Sequence, residues 1–170
     1  MELRDKNGLT EAEFLEMYKV KSQKYDKSFL TADMVVFDKD GRVLLIKRKG
    51  HPCLGKFAFP GGFVNSDESV EEAAVRELME ETGLDNVDIS LIGVYSKPGR
   101  DPRGWVVTTA FKACLTEPVK AVAGDDAAEA LWFEIENCCD KVILVNNNLR
   151  IESTDLAFDH AKILKDALRK

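Results

Sequence analysis

The sequence predicts a single domain of mixed α/β class, in which strands and helices alternate along the chain and share one core. Three observations lead to this prediction. The length of 170 residues fits one domain with a sizeable core. Apolar residues change repeatedly between strand-like and helix-like spacing, and neither an internal repeat nor a low-complexity linker divides the chain. We therefore expect one domain over residues 1–170, with residues 1–28 as an N-terminal arm.

The composition excludes several classes of function. The chain has 30 acidic and 24 basic side chains and a net charge of −6, whereas proteins that bind nucleic acid or anionic membranes carry an excess of Lys and Arg. No segment has the pattern of a signal peptide or of a membrane span. The four cysteines show neither metal-site spacing nor a paired framework. We expect a cytoplasmic protein with free thiols and without a nucleic-acid or membrane partner.

A helix and a hairpin are the first predicted elements. The helix covers residues 10–20, because Thr10 and Glu13 have the spacing of a capping box at its start. Residues 30–37 and 43–46 read as two strands, and the Lys-Asp-Gly turn between them closes a hairpin.

A segment rich in glycine and proline leads from this hairpin into the second helix. Residues 50–62 hold four glycines and two prolines, which excludes a regular helix and indicates close approach of the backbone to another group. Ser69 and Glu72 form a second capping box, and Gly83 stands where a C-terminal glycine is expected. We expect a helix between Ser69 and Gly83.

The remaining chain predicts three strands, a polar loop and a final helix. The strands are expected at residues 87–95, 105–115 and 131–133, the loop at 97–104 and the amphipathic helix at 158–168.

The second helix carries a concentration of negative charge. Residues 67–81 hold seven carboxylates and one cation, Arg76. At about 100° per residue, Glu77, Glu80 and Glu81 share one face. Side chains with oxygen ligands on one turn suit a hard divalent ion such as Mg²⁺. The alternative is an ordinary solvated face of a charged helix.

The other residues of this helix favour a site over a solvated face. The wheel places an apolar face opposite the carboxylates, formed by Val75, Leu78, Met79 and Thr82. Ala73 and Ala74 flank the carboxylate face, and side chains this small let a loop or ligand come close. A solvated face explains neither these alanines nor the glycines just upstream.

These residues resemble the Nudix box. Gly62 is followed after five residues by Glu68, and after seven more by the run Arg76-Glu77-Leu78-Met79-Glu80-Glu81-Thr82-Gly83-Leu84. The resemblance implies the Nudix fold, a mixed β-sheet sandwiched between α-helices. It also implies Mg²⁺-dependent hydrolysis of a nucleoside diphosphate linked to another group, with Mn²⁺ able to substitute.

The resemblance further implies a role for each residue of the box. Glu77 is the favoured group to accept a proton from the attacking water. Arg76 would orient Glu77 and Glu80 through charge-assisted hydrogen bonds, and Glu68 would pair with Arg76. The implied metal ligands are Glu77, Glu80, Glu81 and the carbonyl of Gly61.

Some Nudix enzymes place the catalytic base on a later loop. The corresponding residue here is Asp126, with Asp125 and Glu129 as alternatives. The same loop also fits a simple turn, so Glu77 and this loop both stay open as the source of the base.

The loop 97–104 carries the prediction of the substrate. Pro98 lies 15 residues after the last glycine of the box, where ADP-ribose pyrophosphatases have a proline. Arg100 and Arg103 offer forked donors for phosphate or ribose, unless they are solvated residues of a rigid surface turn. The predicted substrate-binding set is Arg48, Phe63, Pro98, Arg100 and Arg103.

The leading hypothesis is an ADP-ribose pyrophosphatase that releases AMP and ribose 5-phosphate. The alternatives are a hydrolase for another NDP-sugar, a dinucleotide or an oxidised nucleoside triphosphate, and a non-catalytic sensor of ADP-ribose or a related NAD metabolite. Related ADP-ribose enzymes use N-terminal arms in dimers, so residues 1–28 predict a homodimer by analogy.

Overall fold

The computed structural model describes residues 9–22, 26–117, 127–138, 141–147 and 149–170. Within these residues the chain forms three helices, nine strands and a short 3₁₀ turn. In chain order they are α1 (Glu11–Ser22), β1 (Phe29–Phe37), β2 (Val43–Arg48), β3 (Phe57–Ala58), β4 (Gly61–Phe63), α2 (Val70–Thr82), β5 (Ile89–Tyr95), β6 (Val106–Cys114), β7 (Ala127–Cys138), β8 (Lys141–Asn146), β9 (Leu149–Glu152), the 3₁₀ turn (Ser153–Asp155) and α3 (His160–Ala167).

The strands form one mixed sheet in the order β5-β6-β1-β2-β7-β8-β9, with β3 paired to β2 and β4 paired to β1. β1 and β6 are parallel, and the other pairs are antiparallel. The predicted mixed sheet is therefore confirmed.

The central hairpin opens to admit the glycine-rich segment. β1 and β2 pair beside their turn, where Phe37 faces Val43. Further along, β1 pairs with β4 instead, which places Gly61 opposite Asp33 and Gly62 opposite Ala32. Two glycines thus become part of the sheet, directly beneath α2.

Each face of the sheet packs against one helix, because side chains along β1 alternate between the two faces. Met34 and Val36 belong to the core under α2, whereas Val35 and Phe37 belong to the core under α3. This arrangement is the sheet between helices that the sequence predicts.

The first helix is capped as predicted. The backbone N–H of Thr10 donates to Glu13 Oε2 at 2.8 Å, and the N–H of Glu13 donates to Thr10 Oγ1 at 3.2 Å. Phe14, Leu15 and Met17 on this helix are each more than a third exposed.

Most predicted elements agree with the observed bounds to within two residues, and β7 is the exception. β7 extends well beyond the predicted residues 131–133, because it pairs with β2 on one side and with β8 on the other. β8 and β9 are not predicted by the sequence at all. The last helix begins at His160 rather than Phe158, whose φ of 52° is incompatible with a right-handed helix. In the described part of the chain, no helix has the length and apolar character needed to cross a membrane.

Candidate active site

Helix α2 is fixed at both ends by its caps. Ser69 Oγ accepts from the N–H of Glu72 at 3.2 Å, and Glu72 Oε2 accepts from the N–H of Ser69 at 2.7 Å. At the other end, Gly83 adopts a left-handed φ of 72° and its N–H donates to the carbonyl of Met79. Both predicted caps are confirmed.

The predicted division of α2 into an apolar and an opposite acidic face is only partly right. Leu78 and Thr82 of the predicted apolar face are buried, whereas Met79 is 49% exposed. Ala73 and Ala74 are fully buried against the sheet as well. The alanines let the helix lie close to β1, so they do not line an open approach for a ligand. Glu77 and Glu81 therefore lie beside the buried face, at its edge with β4.

Gly62 meets the helix and Gly61 meets β1 so closely that a larger residue does not fit at either position. A Cβ on Gly62 would lie 2.3 to 2.7 Å from the carboxylate atoms of Glu77. A Cβ on Gly61 would lie 2.3 Å from the carbonyl oxygen of Ala32 and 2.6 Å from Asp33 Oδ1. The close backbone approach predicted from these glycines is confirmed.

Arg76 joins the carboxylates of the site into one network. Its Nε and Nη2 donate to the two oxygens of Glu68 at 2.9 and 2.7 Å. Its Nη1 donates to Glu77 Oε1 at 2.7 Å and to Glu80 Oε2 at 3.1 Å, and Nη2 also donates to the carbonyl of Phe63. The predicted contacts of Arg76 are all present.

This network keeps Arg76 charged and lowers the pKa of Glu68. The hydrogen bonds from Arg76 bring the pKa of Glu68 to about 2, and the hydrogen bond to Glu68 raises the pKa of the guanidinium. Arg76 therefore offsets part of the negative charge on α2 without removing any carboxylate from it.

Glu81 and Glu77 are the buried carboxylates of the cluster. Glu81 is 8% exposed, and burial raises its pKa to about 8, although the N–H of Gly61 donates to its Oε2 at 2.9 Å. Burial also raises the pKa of Glu77, against the opposing effect of Arg76. A carboxylate held in this environment lacks compensation for its charge, which a bound cation supplies.

The donor set fits a hard divalent cation. Glu77, Glu80, Glu81 and the carbonyl of Gly61 offer only oxygen atoms, which Mg²⁺ and Mn²⁺ prefer. In the residues that the structure describes, no three acidic, His or Cys side chains already converge as a ligand cluster. Glu77 and Glu80 are bonded to Arg76, so a cation has to compete with Arg76 for them.

A cleft of about 580 Å³ opens over Glu77 and Glu81, a volume in the range of small-molecule sites, and Glu80 lies outside its lining. Both basic and acidic side chains line this cleft. Arg48 contributes from the end of β2, where its Nε donates to the carbonyl of Pro52 at 2.9 Å and its guanidinium lies 5.0 Å from the ring centre of Phe158. The other polar or charged residues of the lining are Lys49, Asn65, Arg76, Glu77 and Glu81.

The predicted substrate loop is arranged differently from the expectation. The Arg100 side chain is only 4% exposed, and its Nε and Nη2 donate to Asp159 at 2.6 to 3.1 Å. Arg103 donates to Asp101 and stacks at 4.7 Å on the ring of Phe63. The expectation that both arginines present open forks is wrong, because each fork already holds a carboxylate.

Pro98 lies outside the cleft. It lines a separate cavity of about 570 Å³ between β5 and α3, together with Tyr95 and Lys162. Arg100 also borders that cavity, and with Arg103 it lines a second cavity of about 50 Å³ that adjoins Gly61 and Gly62.

The candidates for a catalytic base on the later loop stay predictions. Asp125 and Asp126 lie outside the described residues. Glu129 lies on β7 and forms an exposed ion pair with Lys47 at 2.9 Å.

Sequence reasoning did not identify three buried polar residues behind the glycines. They are Thr108, Asp33 and His160, which are 0%, 7% and 2% exposed. The only signal for Asp33 was a charged residue inside an otherwise apolar strand.

Comparison with known proteins identifies a single family. The family model of the NUDIX domain matches residues 27–150. The ADP-ribose pyrophosphatase of Methanocaldococcus jannaschii is 48% identical over 134 residues, which cover 79% of this chain and 70% of that protein.

Solved structures share the fold over nearly the whole chain. A MutT/nudix family protein from Enterococcus faecalis superposes with a TM-score of 0.81 at 40% identity, covering 95% of this chain and 69% of its own. The NUDIX domain of Shewanella oneidensis NrtR, complexed with ADP ribose, superposes with a TM-score of 0.73 at 29% identity, covering 95% and 98%.

Proposed function

The chain belongs to the NUDIX family of hydrolases, and on this basis we propose that it hydrolyses the diphosphate bond of ADP-ribose to give AMP and ribose 5-phosphate. One observation carries the reaction type: Glu77 and Glu81 line an open cleft against the backbone of two glycines, and Arg76 holds Glu77 together with Glu80. The 48% identity to an ADP-ribose pyrophosphatase supports the substrate.

Glu77, Glu80, Glu81 and the Gly61 carbonyl would hold a Mg²⁺ or Mn²⁺ ion, which when bound neutralises diphosphate charge and lowers the pKa of water. Glu77 would accept the proton of the attacking water, because Arg76 holds its carboxylate at the wall of the cleft. Arg76 holds Glu77 and Glu80 in position, and Arg48 attracts the phosphates from the opposite wall.

A substrate panel tests this proposal. The purified protein is incubated with Mg²⁺ and, separately, with ADP-ribose, another NDP-sugar, a dinucleotide and an oxidised nucleoside triphosphate, and the products are separated by anion-exchange chromatography. We expect AMP from ADP-ribose at the highest kcat/KM. Faster hydrolysis of another compound, with no AMP from ADP-ribose, contradicts the substrate and leaves the reaction type standing.

A sensor of ADP-ribose is the second candidate, because the NUDIX domain of NrtR has been solved with ADP ribose and resembles this chain over 95% of its length. A sensor binds ADP-ribose with Mg²⁺ present and releases no AMP. The intact set of Arg76, Glu77, Glu80 and Glu81 favours the enzyme over the sensor.

The proposal includes a homodimer formed through the N-terminal arm. Phe14, Leu15 and Met17 of α1 are partly exposed, and a second copy would cover them. Light scattering of the full chain and of a chain lacking residues 1–28 tests this, and we expect a dimer only for the full chain. A full chain that stays monomeric contradicts it.

A further inference from the structure

A small cavity of about 50 Å³ lies directly beside the catalytic cleft. The two spaces share one wall, formed by Arg48, Gly61, Gly62 and Phe63. The cavity has room for only a few water-sized groups, so neither a phosphate with its substituents nor a purine base fits inside. Its inner wall carries Asp33 and His160, and neither residue belongs to the box.

One oxygen of Asp33 is committed to a buried hydrogen-bond chain. Thr31 Oγ1 donates to Thr108 Oγ1 at 2.7 Å, and Thr108 Oγ1 donates to Asp33 Oδ2 at 2.6 Å. The other oxygen, Oδ1, faces Gly61 and His160. In the described residues no hydrogen-bond donor is recorded for Oδ1, so it is an acceptor directed at the cavity.

His160 presents a donor beside this acceptor. Its Nδ1 accepts from the backbone N–H of Phe59 at 3.0 Å, and its ring stacks on Phe59 with the ring centres 5.0 Å apart. Burial lowers the pKa of His160 against the opposing effect of Asp33 and Asp159, so the ring is neutral at pH 7 and its proton is on Nε2.

The donor and the acceptor are too far apart to satisfy each other. His160 Nε2 lies 3.8 Å from Asp33 Oδ1, beyond hydrogen-bond distance. A hydroxyl between them accepts from Nε2–H and donates to Oδ1, which satisfies both groups. Oδ1 needs a donor and Nε2–H needs an acceptor, and a neutral hydroxyl is both at once, so it matches this pair.

We infer that Asp33 and His160 bind a hydroxyl of the terminal sugar of the substrate, and so select a sugar as the group attached to the second phosphate. Only a hydroxyl enters a cavity this small, and the terminal sugar can bring one to its mouth because it carries no base that has to be accommodated there as well. This inference rests on the proposed function, in which the diphosphate lies in the adjoining cleft next to Arg48.

Two variants separate this role from a structural one. Asp33→Asn keeps the shape of the side chain and an oxygen for Thr108, but it turns an amide donor toward the cavity. His160→Asn keeps an acceptor for the N–H of Phe59 and removes the Nε2–H donor. Asp166→Asn, on the same helix as His160 and bonded to Tyr95 and Lys162, is the matched control. Thermal unfolding of each variant checks that it is folded.

The readout compares two substrates that differ only in the sugar: ADP-ribose and the methyl ester of ADP. We expect Asp33→Asn and His160→Asn to raise KM for ADP-ribose about tenfold, with little change in kcat and in KM for the methyl ester. The control should leave both KM values unchanged. Equal changes in both KM values, or a change in kcat alone, overturn the inference, and so does a parent that binds the methyl ester as tightly as ADP-ribose.

The inference can fail independently of the proposed function. If the parent hydrolyses neither compound, the proposed function fails. Binding of the two compounds is then compared through dissociation constants, measured by calorimetry with Ca²⁺, in place of KM. Tighter binding of ADP-ribose that both variants abolish still supports the hydroxyl site. The inference is overturned if both variants still bind ADP-ribose more tightly than the methyl ester. It is also overturned if the parent shows no such preference.

Discussion

Among single residues, Arg76 has the largest effect on the geometry of the site. One guanidinium contacts three carboxylates and a backbone carbonyl. Only a planar group with several donors in fixed directions makes all of these contacts together. Arg76 thus connects the end of β4, the loop before α2 and two turns of the helix.

We predict that Arg76→Lys lowers kcat at least tenfold while the protein stays folded, because an ammonium group cannot hold Glu68, Glu77 and Glu80 at once. Steady-state kinetics at saturating Mg²⁺ measures the effect. Arg42→Lys is the matched control, since Arg42 pairs with Asp38 in a turn outside the cleft and should leave kcat unchanged. Equal kcat values for both variants argue against the positioning role.

Gly62 provides a second prediction at this scale. Gly62→Ala places a methyl group where the Glu77 carboxylate now lies, so the side chain of Glu77 must move. We expect activity to fall about a hundredfold or more, because a catalytic group displaced by about an ångström loses most of its effect. Gly50 lines the same cleft, and a Cβ at this position would have nothing within 4 Å. Gly50→Ala is therefore the control and should retain activity. Full activity of Gly62→Ala shows that Glu77 does not need this position.

The contacts of Arg76 are predicted through the resemblance to the Nudix box, and all of its carboxylate partners lie within eight positions of it along the chain. The sequence does not predict the partners of Arg100 or of Asp33. Asp159 lies 59 positions from Arg100, and Thr108 lies 75 positions from Asp33. Sheet pairing and packing bring these groups together, and the local spacing of residues does not predict such long-range contacts.

At the scale of elements, α2 is placed by its two caps and by the alanines that bring it close to β1. The residue pattern identifies the ends of α2 correctly and its buried face only in part, since Leu78 and Thr82 are buried but Met79 is exposed. The wheel treats the carboxylates as an outer face, whereas Glu81 is nearly as buried as the core. Periodicity cannot separate a charged residue that faces solvent from one that faces a site in the interior.

The caps can be tested through stability. Ser69→Ala removes the side-chain acceptor for the N–H of Glu72, and we expect the free energy of unfolding to fall by about 1 kcal/mol. Urea denaturation measures it. Ser66→Ala, in the exposed turn before the helix, is the control and should change stability by less than about 0.5 kcal/mol. Equal stability of the two variants contradicts the role of the cap.

In the sheet, too, the features that depend on local sequence are predicted and those that depend on distant residues are not. The hairpin of β1 and β2 and the strands β5 and β6 follow from local alternation and turns. The opening of that hairpin for β3 and β4 depends on pairing with Gly61 and Gly62, and β8 depends on pairing with β7. The sequence therefore indicates the class of fold and the box, while the sheet order comes only from the structure.

At the scale of the whole molecule, the negative charge is concentrated at the site. Residues 67–81 carry seven carboxylates and one arginine, a local charge of −6 that equals the net charge of the chain. A diphosphate approaching this helix meets repulsion unless a cation is present. The acidity of the chain is thus itself an argument for a divalent ion in the cleft.

The buried charge should make stability depend on pH when divalent ions are removed. Glu81 has a pKa of about 8 in the folded chain against 4.5 as its ordinary value. Between these two values the folded state binds more protons at Glu81 than the unfolded state does. The contribution of Glu81 to the free energy of unfolding therefore falls as pH rises from about 5 to 8. His160, whose pKa is lowered, contributes in the opposite direction. We therefore predict a difference in slope between the parent and Glu81→Gln.

Urea denaturation in EDTA at about pH 5 and pH 8 measures this difference, and the parent should lose more stability than Glu81→Gln over the interval. Adding Mg²⁺ at the higher pH should restore stability to the parent, because the ion compensates the buried carboxylate. Identical slopes for the two proteins contradict the burial of an uncompensated charge at Glu81.

The most direct test of the account measures AMP released from ADP-ribose by the parent, by Glu77→Gln and by Glu71→Gln, each with Mg²⁺ and with EDTA. Glu71 is an exposed carboxylate on the same helix and serves as the control. We predict AMP and ribose 5-phosphate from the parent and from Glu71→Gln with Mg²⁺ only, and a rate about a hundredfold or more lower for Glu77→Gln. Hydrolysis that persists in EDTA, or a Glu77→Gln variant as fast as the parent, contradicts a metal-dependent site on α2.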